Sequence, residues 1–330
     1  MSNVNKPFID EPIPAGIDIK EEILKLKKEK NAIIVAHYYQ SEDIQDIADF
    51  RGDSLALAQV AAKTDADIIV MCGVHFMGET AKALSPNKMV IVPDLNAGCS
   101  LADSCKVEDF KEYLKGYPDH KVVTYVNTSA DVKAYTDIVV TSTNAKEIVD
   151  SFPKDEKIIF GPDRNLGNYI NSVTGRDMVL WDGACHVHEQ FSLEKILKLK
   201  EENPDAFVLA HPECKKTILL VADKVGSTQA LLNFAVTSDC NKFIVVTESG
   251  IIHQMKQMCE GKVFIPAPPE DSTCACNECN FMRLNTMEKL YNALKYEYPT
   301  IELSQEIIVK SVKPIERMIE LSEKLGLIKK

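Results

Sequence analysis

The sequence predicts an α/β protein built from three similar α/β/α domains, each with a small, mostly parallel sheet, set about a pseudo-threefold axis. Two observations carry this. Short apolar runs rich in Val and Ile alternate with helical stretches along the whole chain, the pattern of strands buried on both faces and joined by crossovers. Four kinds of strand end also recur in the same order at one spacing. The first kind is AHYYQ, TYVNT and AHPEC, with 88 residues from His37 to Tyr125 and 86 from Tyr125 to His211. The second is GDSLALA, TSTNAKE and GSTQALL, with 88 residues from Ser54 to Ser142 and 86 from Ser142 to Thr228. The third is CGVHFMG, FGPDRNL and TESGIIH, and the fourth ends on cysteines, with 86 residues from Cys99 to Cys185. A unit of roughly 87 residues is a small domain.

The strand candidates are 31–39, 67–73, 89–94, 121–127, 137–142, 157–162, 177–183, 206–213, 242–248 and 262–268. They divide the chain into an N-terminal arm and helix (1–30), domains at 31–118, 119–204 and 205–285, and a C-terminal helical segment (286–330) packing on the body. Within the flanks, 19–30 reads as an amphipathic charged helix and 314–328 as another, with Pro314 in its first turn. Segments 175–179 and 223–229 read as mobile covers for a site.

Composition bounds the function. The chain has 330 residues, 45% hydrophobic and 26% charged, and a net charge of -11. That charge argues against a nucleic-acid partner, which rewards a basic face. No apolar run approaches the ~18–20 residues of a membrane span. The N-terminal stretch lacks a basic-then-apolar signal, so a cytoplasmic location is expected. Ten cysteines in a reducing compartment read as thiols or metal ligands rather than disulfides.

Ligands of open α/β sheets bind outside the carboxyl ends of strands, so three sets of ends converge on one site. His37 and Tyr39, Tyr125 and Asn127, and His211 and Glu213 are all hydrogen-bonding or proton-transfer types at equivalent ends. Ser54, Ser142 and Thr228 each open a helical segment, where hydroxyls cap helices and free N–H groups attract anions. Glu248, followed by Gly250, is a weaker candidate. The fourth strand ends bring Cys99, Cys185 and one of Cys274, Cys276 or Cys279. Three thiolates suit an iron–sulfur cluster with one open iron or an open zinc site, and His188 could complete a zinc site. Spacing favours Cys274; local chemistry favours the Cys276–Cys279 pair.

The pieces AHYYQ, GDSLALA, PDLNAGCSLA, TYVNTSA, CHVHEQ, AHPEC, GSTQ and CACNECNFMRLN occur in order from residue 37 to residue 285. Together they resemble the quinolinate synthase family of NAD biosynthesis. The resemblance implies a [4Fe-4S] cluster on Cys99, Cys185 and Cys279, the last being the cysteine before the x-x-M-x-x-N segment. It implies condensation of iminoaspartate with dihydroxyacetone phosphate, with the open iron as Lewis acid, and an aspartate-oxidising enzyme supplying iminoaspartate. It places His37, Ser54, Tyr125, Asn127, Ser142, His188 and Thr228 around the substrates. On the axis geometry, proton transfer falls to Tyr39, His211 and Glu213, with Glu213 as base because a partly desolvated carboxylate has a raised pKa. The family often carries C-x-x-C-x-x-C where this chain has C-x-C-x-x-C. The retained Cys276–Cys279 pair leaves room for a reversible disulfide. An electron carrier and a zinc-stabilised binding module are the competing readings.

Overall fold

The computed structural model of the chain describes residues 6–271 and 277–328. Its strands are β1 (Ala32–His37), β2 (Phe50–Gly52), β3 (Ile68–Cys72), β4 (Met89–Ile91), β5 (Lys121–Tyr125), β6 (Ile138–Val140), β7 (Ile158–Gly161), β8 (Val179–Leu180), β9 (Phe207–Ala210), β10 (Lys224–Val225), β11 (Lys242–Val246) and β12 (Val263–Pro266). They form three four-stranded sheets in the orders β2-β1-β3-β4, β6-β5-β7-β8 and β10-β9-β11-β12. Every pairing is parallel. The expected threefold α/β architecture is therefore present, with one topology used three times.

The reason lies in the central strands. All five residues of β3 are buried, as are the last four of β5 and β11. Such strands gain stability only when helices cover both faces, at roughly 1.5–3 kcal/mol per fully buried aliphatic side chain. In the first sheet, helices Ser54–Lys63 and His75–Leu84 cover one face with Leu55, Leu57, Phe76 and Ala81, and helices Ile19–Glu29 and Met287–Tyr296 cover the other with Ile23, Leu290 and Leu294. Registers match as well. Val35 pairs with Met71, Val123 with Phe160 and Leu209 with Val245. Counting three residues past the second member places Val74, Asp163 and Glu248 at one equivalent position.

The units are tied together by polar contacts at the strand ends. Thr143 Oγ1 lies 2.7 Å from Asp53 Oδ2 and 2.9 Å from Ser227 Oγ, joining all three. Gln45 Nε2 donates to Gly250 O at 3.0 Å, joining the first to the third.

Three local expectations are corrected. The C-terminal helix runs Gln305–Lys324, so Pro314 sits inside it rather than in its first turn. Proline removes one intrahelical bond, but Pro314 is buried with Ile308, Ile315 and Met318 as the helix packs on β6 and on helix His75–Leu84, and that packing holds the helix together. Residues 223–229 form β10 and the turn into helix Thr228–Thr237, with Ser227 and Thr228 buried, so this segment is wall rather than cover. Segment 175–179 ends helix Arg164–Thr174 at Gly175, whose φ of 69° is left-handed, and leads into β8 away from the cavity. Among the described residues, no helix is long and apolar enough to cross a membrane.

Candidate active site

The carboxyl ends of all three sheets face one cavity. His37, Tyr39, Ser54, Tyr125, Asn127, Ser142, His188, His211, Glu213 and Thr228 all line it, together with Cys99, Cys185 and Cys279. Cys274 and Cys276, and with them any Cys276–Cys279 pairing, lie outside the described residues.

The three cysteine loops are held alike. The N–H of His75 donates to Ala97 O at 2.7 Å, that of Arg164 to Gly183 O at 2.8 Å, and that of Ser249 to Asn277 O at 3.3 Å. Each acceptor lies two residues before a cysteine, and each donor follows one of the equivalent positions Val74, Asp163 and Glu248. Cys279 therefore corresponds to Cys99 and Cys185. The intervening stretch is longer in the third unit, which is why spacing pointed to Cys274.

Each cysteine also stands where a helical turn begins. Cys99 and Cys185 are N-caps of helices Ser100–Asp103 and His186–Glu189, and the 3₁₀ turn Met282–Leu284 follows Cys279. Backbone N–H groups of Ala102 and Leu101 favour the Cys99 thiolate, that of His188 favours Cys185, and those of Met282 and Phe281 favour Cys279. Burial outweighs them. It pushes Cys99 up to about 12, Cys279 up to about 11 and Cys185 well above the usual thiol range. Without a metal these are protonated thiols, and metal binding must displace their protons.

The donor set fits an iron–sulfur cluster. It offers three soft ligands near enough for the charge of Cys99 to act on Cys185 and that of Cys279 on Cys99. Yet the three sulfurs do not fall within 4.8 Å of one another, whereas Cys185, His188 and Glu213 do. A single zinc, with Zn–S bonds of about 2.3 Å, needs its sulfurs closer than about 4.6 Å; a multi-iron cluster reaches further.

The polar side chains form one network. Tyr39 Oη lies 2.8 Å from Thr228 Oγ1 and 2.9 Å from Thr247 Oγ1, and Thr247 Oγ1 lies 3.0 Å from His188 Nε2. His188 Nδ1 stands 2.9 Å from Glu213 Oε2, close enough for an ion pair though off the line of a hydrogen bond. His37 Nδ1 accepts the N–H of Tyr39 at 3.2 Å, and His211 Nδ1 accepts that of Glu213 at 3.3 Å. Both rings therefore carry their proton on Nε2. Burial lowers both to about 3 against the opposing pull of Glu213, so they are neutral donors at neutral pH. His211 Nε2 donates to Ser142 Oγ at 3.2 Å.

Two expectations about these groups change. Burial does push the Glu213 carboxyl up, but contacts led by that with His188 outweigh it and lower it to about 2. Ser54 and Thr228 do not cap their helices. Asp53 accepts the N–H of Ala56 and Ser227 that of Ala230, leaving Ser54 and Thr228 as first helical residues. Ser142 lies in the turn before helix Ala145–Asp150, which Asn144 precedes.

Three further residues meet beside the cysteines: His186, Ser100 and Phe281. His186 lines the cavity, with Nδ1 2.7 Å from Ser100 Oγ and its ring 5.9 Å from that of Phe281. All three closely follow a cysteine, a signal available by aligning the fourth strand ends. Glu248 is fully buried and faces the cavity, with burial raising it to about 8 against Arg283 and the N–H groups of Cys279 and Gly250.

Comparison with known proteins identifies the family. The family described as Quinolinate synthetase A protein matches residues 21–320. A quinolinate synthase of Thermosynechococcus vestitus is 55% identical over 309 residues, covering 94% of this chain and 97% of the relative. Those of Chloroherpeton thalassium and Trichormus variabilis are 56% and 57% identical, covering 93% and 94% of this chain and 95% and 96% of theirs.

Proposed function

Since the chain belongs to the quinolinate synthase family and is an enzyme of that type, we propose that its central cavity condenses iminoaspartate with dihydroxyacetone phosphate, releasing quinolinate, phosphate and water. The single observation behind this reading is that three like-clamped cysteines and the polar ends of three sheets line one cavity. When bound, a [4Fe-4S] cluster on Cys99, Cys185 and Cys279 supplies a Lewis-acidic iron with no protein ligand.

The chain's own residues do the rest. Ser54, Ser142 and Thr228 present hydroxyls to the three anionic groups of the two substrates. Tyr125 and Asn127 orient carboxylates; Asn127 Oδ1 is buried without a partner among the described residues and can accept from a substrate donor. His37 and His211 donate through Nε2–H. Glu213, held as a carboxylate, is the base, and His188 orients it. Tyr39, whose hydroxyl burial raises far above its ordinary pKa, donates rather than ionises. Units 31–118, 119–204 and 205–285 act as the three domains, the protein works in the cytoplasm, and an aspartate-oxidising enzyme supplies iminoaspartate.

One observation favours a second reading. Cys185, His188 and Glu213 keep their ligand atoms within 4.8 Å, which suits a single zinc. Anaerobic purification with iron, sulfide and zinc analysis separates the two. Iron and sulfide in about four equivalents each, with turnover of the two substrates, supports the cluster enzyme. Stoichiometric zinc without iron overturns it.

A further inference from the structure

We propose that Asp163 and Glu248 are positioning residues that hold two of the three cluster cysteines by their backbone N–H groups; this rests on the cluster reading above. Asp163 Oδ2 accepts the N–H of Cys185 at 3.2 Å, and Glu248 Oε1 accepts that of Cys279 at 3.1 Å. The two carboxylates occupy the same position in their sheets, fixed by the register of β7 on β5 and of β11 on β9. The first sheet has Val74 there, so Cys99 lacks this support.

Each carboxylate splits its oxygens between two tasks. The other oxygen of Asp163 accepts Leu166 N–H at 2.7 Å, capping helix Arg164–Thr174. The other oxygen of Glu248 accepts Gly250 N–H at 2.7 Å. One oxygen thus fixes the carboxylate to its own turn while the second reaches the cysteine loop. Both groups have no exposed surface, and a buried carboxyl group is retained only where its polar atoms are used. The packing around each clamp is closed. A Cβ on Gly183 would come within 2.5 Å of Pro162 O, and one on Gly250 within 2.8 Å of Glu248 Oε2. Different residue types, Asp and Glu, reach the same cysteine N–H from one position, so the shared element is the contact and not the side chain.

The clamps orient sulfur donors from one shell out, as partners of metal ligands do generally. Asp163→Asn and Glu248→Gln are near-isosteric. Each can keep an oxygen on its own turn while turning an NH₂ toward the cysteine N–H; Glu248→Gln also gives up the 3.4 Å contact of Arg283 Nη2 with Glu248 Oε1, so Asp163→Asn is the cleaner of the two. After anaerobic reconstitution, both variants are expected to lose iron to a chelator faster than wild type, by about 10–100-fold. Their cluster potentials are expected to move away from the wild-type value, because the hydrogen bonding behind a cysteine sulfur has changed; a purely structural role leaves the potential unmoved. Wild-type iron release and potential in both variants would overturn the proposal, as would unfolding of both apo-variants in a melting experiment. Failure of the wild-type chain to take up iron and sulfide would instead remove the cluster reading on which it rests.

Discussion

His188 Nδ1 lies 2.9 Å from Glu213 Oε2, with both side chains almost wholly buried. The contact keeps a carboxylate in a cavity that would otherwise neutralise it. Glu213→Gln is isosteric and keeps the His211 contact, which is made by the backbone N–H. It is expected to lower kcat by about 10²–10⁴-fold, the range for loss of a general base, while leaving the iron content unchanged. Near-normal turnover would exclude Glu213 as the base.

The three thiols are expected to behave as a unit. Cys99→Ser, Cys185→Ser and Cys279→Ser should each abolish both iron binding and turnover, measured anaerobically, while Cys274→Ser stays close to wild type. Retained cluster in Cys279→Ser, with loss in Cys274→Ser, would contradict the equivalence of the three clamped loops.

His37 and His211 make stability depend on pH. Each falls from 6.5 to about 3 in the folded chain because burial disfavours the charged ring. The unfolded chain takes up a proton as pH falls through 6.5; the folded ring does not until about 3. The stability from each neutral ring is therefore complete above 6.5 and drains away as pH falls toward 3. From about pH 7 to about pH 5 the loss is about 2 kcal/mol per ring. Melting temperature should drop across that window in wild type, and less in His37→Gln. A flat profile would mean that the rings are solvated.

Gly250 sits against Tyr38 O, Tyr39 Cα and Glu248 Oε2, all within 2.9 Å of where a Cβ would be. The first two are backbone atoms and cannot turn aside. Gly250→Ala is expected to lose about 1–3 kcal/mol in denaturant unfolding, as overpacking does, and to weaken activity by displacing Tyr39. An unchanged midpoint would show that the first and third units separate easily here.

Much of this was legible in the chain. The central strands announce themselves because burial on both faces demands continuous Val and Ile. The edge strands β2 and β10 do not. Phe50–Gly52 is half-exposed and only three residues long, and Lys224–Val225 is shorter still. Strand-end chemistry was readable from the repeat, which brought His37, Tyr125 and His211 to one place. Hydrogen-bond partners were not. Thr247, 208 residues from Tyr39 and 59 from His188, joins the two, and the direction of the Glu213 shift depends on His188, which only the fold brings beside it. The caps were misplaced by one residue at Ser54 and Thr228 because Asp53 and Ser227, equally good caps, stand just before them.

The Thr143 junction constrains how reactants get in and out. Its hydroxyl touches the first unit at Asp53 and the third at Ser227, so swinging the first or the third lobe away from the second would break one of these contacts. A single hydroxyl thus ties the mutual placement of all three lobes to one point, and reactants that enter by rotamer changes and small displacements of the rim turns leave that tie intact.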